Sequence, residues 1–125
     1  MLADSPIHPA LPVADLERAK RFYAEKLGLI PESEGPGGLF YRCGENTLFL
    51  LFLSQGTASG THTQAGWTVD DIESEVADLK ARGVVFEEYD TPYLKTINSV
   101  ASTGSASSAW FKDSEGNLLV LLQFV

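Results

Sequence analysis

The chain carries one plan twice, and that duplication constrains its fold more than any other feature. Shifting the sequence by 56 places Val13 on Val69, Asp15 on Asp71, Leu16 on Ile72 and Glu17 on Glu73. Shifting by 70 places Phe40 on Trp110, Tyr41 on Phe111, Arg42 on Lys112, Glu45 on Glu115 and Leu48 on Leu118. A repeated unit this short cannot bury its apolar face alone, so the two copies must pack together. The change of offset requires an insertion of about fourteen residues in the second copy. Its source is DTPYLKTINSVASTGSAS, between Tyr89 and Ser108. A connection of that length reads as a binding loop, a lid or a mobile segment, and its low-complexity end, SVASTGSASS, reads as mobile.

Each copy reads β-α-β-β-β. IHPALPV (7–13) is a strand whose two prolines keep it irregular or at an edge. Asp15 fits a helix N-cap, LERAKRFYAEKL places Leu16, Ala19, Phe22, Tyr23 and Leu27 on one stripe, and Gly28 ends the helix. PESEGPGG leaves room for a short strand near Ile30–Glu34, and LFYRC and TLFLLFL are strands joined through Gly44-Glu45-Asn46. In the second copy, THTQAGWTV is a strand and Asp71 an N-cap. IESEVADLKAR carries Ile72, Val76 and Leu79 inward, and Gly83 stops it. VVFEEY, SAWFK and NLLVLLQF are strands, with DSEGN a tight turn. The expected organisation is a single domain over 1–125, made of modules at about 5–54 and 61–125.

Composition then removes whole classes of function. Nine basic against 17 acidic residues give a net charge of −8, which repels phosphate backbones and anionic lipid, so neither nucleic acid nor membrane is an expected partner. No apolar run is long enough to span a bilayer, and the opening MLADSPIHPALP lacks the basic start and continuous apolar stretch of a secretory signal. Cys43 is the one cysteine, which excludes an internal disulfide and any multi-cysteine metal site. A cytoplasmic location is expected.

IHPALPVADLERAKRFYAEKLGL resembles the opening of the vicinal oxygen chelate superfamily, the glyoxalase, bleomycin-resistance and extradiol dioxygenase proteins. The residues that carry the likeness are Val13, Asp15, Leu16, Phe22, Tyr23, Leu27, Gly28 and Leu29. WFKDSEGNLLVLLQ is similar to the family's closing hairpin. The resemblance implies an α+β fold in which two tandem β-α-β-β-β modules form a curled mixed sheet around a cleft, usually in a homodimer. It also implies four metal ligands, a His or Gln on the first strand and a Glu on the last strand of each module. Carried over, the first-strand ligands fall on His8 and Gln64. The last-strand positions fall on Leu50 and Val120, with Phe49 and Leu119 one residue away, and none of these can ligate. Two neutral donors do not offset the dehydration of a divalent ion, so a metal cofactor is disfavoured and none is expected.

Without metal, the cleft becomes an apolar pocket. Alternation puts Leu48, Leu50 and Phe52 on one strand face, and Leu118, Val120 and Leu122 on its equivalent. Trp110, Trp67, Phe111 and Tyr41 are candidate aromatic walls, and His8, His62 and Gln64 are the polar groups. Such a cleft suits a small, largely apolar organic ligand, with His8 the best candidate for any general base. The rival reading is a metal-dependent lyase, isomerase or dioxygenase drawing partial ligands from His8, His62 and Gln64. Tyr89, Tyr93 and Lys95 bracket the long loop and would meet a ligand only if it closes. Cys43 reads as a quiet thiol, and Asp113 and Glu115 as structural turn residues.

Overall fold

A computed structural model describes all of residues 1–125. The first half forms β1 (Ala10–Val13), α1 (Leu16–Leu27), β2 (Ser33–Gly35), β3 (Gly38–Arg42) and β4 (Leu48–Leu53). The second forms β5 (Thr63–Thr68), α2 (Ile72–Ala81), β6 (Ala101–Ser102), β7 (Ala106–Lys112) and β8 (Leu118–Phe124). Two four-stranded mixed sheets result, ordered β1-β4-β3-β2 and β5-β8-β7-β6. In each, the first strand lies parallel to the last, and the remaining pairs are antiparallel. Ala10 pairs with Leu50 and Gly66 with Val120, so the ladders reproduce both sequence offsets.

Local chemistry sets the helices. The Asp15 carboxylate accepts from Arg18 N at 3.0 Å and the Asp71 carboxylate from Ser74 N at 3.2 Å, each satisfying an orphan donor of the first turn. Gly28 closes α1 in the left-handed region at φ 71°, where a side chain would be strained. Ala19 and Tyr23 of α1 and Ile72 and Val76 of α2 are buried, and they join the inward residues of both sheets in one core. Phe49 meets Trp67 edge to face, and Trp67 stacks on Phe111, so the core is continuous from one module to the other.

The DSEGN turn fastens the modules. The Glu115 side chain, only 1% exposed, accepts from Ala14 N, Asp15 N and the Arg18 guanidinium of the first module. Tyr23 donates its hydroxyl to Asp113 at 2.7 Å, and the Asn117 amide donates to the Pro12 carbonyl at 3.0 Å.

One expectation is corrected. VVFEEY is not a regular strand: Phe86 makes a single antiparallel bridge to Phe111, and Val85 is 81% exposed. Val84 and Phe86 do turn into the core, but the chain leaves the sheet at Glu88. That carboxylate accepts from Ser99 N, Ser99 Oγ and Thr96 Oγ1, drawing the inserted segment back on itself. The sheet's edge is supplied instead by Ala101–Ser102, within the stretch expected to be mobile. There Ser99 and Ala101 are buried, which anchors the end of the insertion.

A candidate ligand-binding groove

Alternation along β4 buries Phe49 and Leu51 and leaves Leu48, Leu50 and Phe52 half-buried on the opposite face. Across from them, Phe40 pairs with Leu50 and is itself 39% exposed. On β8, Leu118 and Val120 are buried and Leu122 half-buried, with Trp110 paired to Val120. Two glycines admit the aliphatic side chains at the positions aligned with ligands. A Cβ on Gly38 would lie 2.9 Å from Leu50 Cδ1, and one on Gly66 would collide with Val120. Both strand faces are therefore packed with hydrocarbon where carboxylates would be needed.

The polar candidates do not converge. His8 is exposed beside a groove, whereas His62 pairs through Nδ1 with Ser59 Oγ at 2.8 Å in an exposed turn. Gln64 sits at an irregularity of β5, between the paired residues Thr63 and Ala65, with its Oε1 buried and unpartnered. Trp110 donates its indole N–H to Thr63 Oγ1 at 3.1 Å and meets Tyr89 edge to face. No group of three or more His, Cys, Asp or Glu side chains is placed to share an ion. The donor set of the metal-dependent members does not fit here, because His8 and Gln64 have Leu50 and Val120 for companions.

The principal cavity is a groove of about 740 Å³ between the start of the first module and β5 of the second. Leu11, Phe49, Ala65 and Trp67 contribute from strand faces turned to the core. Ile7, His8 and Leu48 contribute from the first module, and the turn Cys43–Thr47 forms another wall. Of the residues expected to line a cleft, His8, Leu48 and Trp67 do so in this groove. Leu50, Phe52, Leu118, Val120, Leu122, Trp110, His62 and Gln64 do not line it. Phe111 and Tyr41 belong to the core. Among the groove residues that sequence reasoning missed are Leu11, Phe49, Glu45 and Asp70, and the hairpin signal Gly44-Glu45-Asn46 was the one cue available for Glu45.

Electrostatics in the core follow burial. Tyr23 is pushed well above the ordinary phenol range by burial and then by the adjacent Asp113 carboxylate. Tyr41 is fully buried with its hydroxyl unpartnered and is raised to about 12, chiefly by burial. Glu115 moves the other way, to about 2, because Arg18 and the two backbone N–H groups stabilise its anion against the cost of burial.

Comparison with known proteins gives the same architecture. The model of the Glyoxalase/Bleomycin resistance protein/Dioxygenase superfamily matches residues 5–121. No curated protein matches the sequence. The chain is similar in structure to a glyoxalase/bleomycin resistance protein/dioxygenase from Alicyclobacillus acidocaldarius, with 21% identity, a TM-score of 0.71 and coverage of 97% of this chain and 92% of that one. It is also similar to TnmS3, an antibiotic binding protein from Streptomyces sp. CB03234, with 25% identity, a TM-score of 0.67 and full coverage of both chains. UcmS2 is a further structural relative, with 21% identity, a TM-score of 0.70 and coverage of 92% and 94%. With nearly its whole length matched by the family model, the chain belongs to the Glyoxalase/Bleomycin resistance protein/Dioxygenase superfamily.

Proposed function

We propose that the protein binds and sequesters a small, largely apolar organic molecule, using no metal. The observation that carries this reading is the groove itself: Leu11, Phe49 and Trp67 give it an apolar floor, and polar groups such as His8, Asn46 and Thr68 stand around it to orient a ligand. The hydrocarbon at Leu50 and Val120 agrees with it, since it withholds the anionic ligands that Lewis-acid chemistry in this family requires. A relative that binds an antibiotic, TnmS3, makes a drug-like ligand the natural class to try first. We place the protein in the cytoplasm, where its single thiol would stay reduced. A second copy of the chain is the proposed cover for the open sheet face, because Phe40 is 39% exposed there and Leu48, Leu50 and Phe52 beside it are only half-buried.

Cys43 lines the groove and is the only cysteine, so it reports occupancy directly. Titration with neutral 1-naphthylmethanol is expected to quench tryptophan fluorescence and to slow alkylation of Cys43 over the same concentration range. His8→Ala is expected to weaken both effects. Unchanged alkylation at saturating probe would overturn the groove as the binding site. Near-stoichiometric binding of nickel or manganese, abolished by His8→Ala, would overturn the metal-free reading.

A further inference from the structure

The groove is the unclasped counterpart of the contact that joins the two modules. In the closed contact, the turn Asp113–Asn117 grips the first module through Asp113, Glu115 and Asn117. Under the two offsets these residues correspond to Cys43, Glu45 and Thr47, and their partners, the accepting Pro12 carbonyl and the donating Ala14 N–H, belong to residues that correspond to Thr68 and Asp70. All five counterparts line the groove. The chemistry that closes one contact is absent from the other. Arg18 has Ser74 in its place, Tyr23 has Leu79, and Asp113 has Cys43. Among the side chains that make the closed contact only Glu115 keeps its identity, as Glu45, but where Glu115 meets the neutral Ala14 and a guanidinium, Glu45 shares its groove with Asp70.

Resting on the small-molecule reading above, we infer that the ligand is a cationic amphiphile, an amine or guanidinium carried on an apolar or aromatic body. Its charge would stand between the modules where the second contact lacks an arginine, near Glu45 and Asp70, and its body would lie against Trp67 and Phe49. No Lys or Arg lines the groove to balance those carboxylates. Two of the N–H donors that an anion would use at the adjacent start of α2 are already engaged. Ser74 N is taken by the Asp71 carboxylate at 3.2 Å, and Ile72 N by the Gln123 side chain at 2.8 Å. The two carboxylates belong to different modules and line one groove, so a cation seated there gains from both charges.

Three isosteric probes test the inference: 1-naphthylmethylammonium, 1-naphthylmethanol and 1-naphthoate, titrated into the native protein and followed by amide and indole shifts of groove residues. Partly exposed ion contacts of this kind should make the ammonium bind about tenfold tighter than the alcohol, with the carboxylate weakest. The advantage should shrink at high salt. The double variant Glu45→Gln/Asp70→Asn alters exposed side chains only, so it should keep the native melting temperature, erase the ammonium's advantage and leave the alcohol's affinity unchanged. Equal binding of ammonium and alcohol to the native protein, or an equal loss of both in the variant, would overturn the cation preference while leaving the groove as a binding site. Absence of shifts with every probe would overturn both readings.

Discussion

Arg18 and Glu115, far apart in sequence, meet through two charge-assisted hydrogen bonds, Nε to Oε2 at 2.7 Å and Nη2 to Oε1 at 2.9 Å. The carboxylate is almost wholly buried while the guanidinium is half exposed, so the buried partner depends on the pair more than the exposed one does. Glu115→Gln is expected to lower unfolding stability by about 2 kcal/mol, since the lost anion is buried while solvent screens its half-exposed partner Arg18. Glu115→Ala should cost more, since it also strips Ala14 N and Asp15 N of their acceptor. Urea denaturation of the two variants checks both. The pH dependence has a definite sign. A carboxylate held at about 2 contributes stability that is complete above its usual value of 4.5 and is lost as pH falls from there toward 2. The Gln variant should show less acid destabilisation over that interval.

The two buried phenols give the opposite flank of the pH profile. Tyr23 and Tyr41 both titrate above their ordinary value of 10.0, so burial stabilises the neutral forms. That stability is present below pH 10 and is lost as pH rises through the folded values. Absorbance at the phenolate band should show two tyrosines silent until alkaline unfolding. Tyr23→Phe should remove one of them and cost about 1 kcal/mol through its lost bond to Asp113.

The aliphatic side chains at Leu50 and Val120 make a reverse experiment available. Leu50→Glu/Val120→Glu places a carboxylate at each aligned last-strand position, opposite Ala10 and Gly66 in the parallel ladders. The variant should lose several kcal/mol of stability without metal, because Val120 is 7% exposed and a charge there is poorly solvated. Because His8 and Gln64 do not converge with these positions, nickel or manganese should leave the melting temperatures of the variant and the native protein unchanged. A metal-dependent rise in the variant alone would mean that the aligned positions do converge.

Glu88 holds the inserted segment. Its carboxyl lies below the usual carboxylate range because Ser99 and Thr96 donate hydrogen bonds to it. Ser99 sits fully buried at φ 74°, a left-handed conformation for a non-glycine residue, which these bonds help to fix. Ser99→Ala should speed amide exchange across 96–100 severalfold with little change in global stability. Acidification below the ordinary carboxylate range should act in the same direction, since protonation removes the charge that the donors stabilise. Hydrogen exchange read by mass spectrometry distinguishes local from global opening.

What the sequence determined by itself is the part governed by near neighbours. Asp15, Asp71 and Gly28 act within a turn of their own helices, and α1 accordingly spans Leu16–Leu27 as its pattern predicts. Alternation within TLFLLFL assigned its two faces, and the aligned positions of Leu50 and Val120 showed that the carboxylates were missing without any coordinates. The structure decided what depends on distant partners. Nothing in VVFEEY tells whether a neighbouring strand will remain alongside it, and the contest was won by Ala101–Ser102 once Glu88 had folded the insertion back. Glu115 looked like an ordinary turn residue because its four hydrogen-bond donors in the first module lie about a hundred residues away. The groove was hidden for the same reason: Glu45 and Asp70 are unremarkable singly, and they share a cavity because the turn after β3 and the end of β5 are brought together across the two modules.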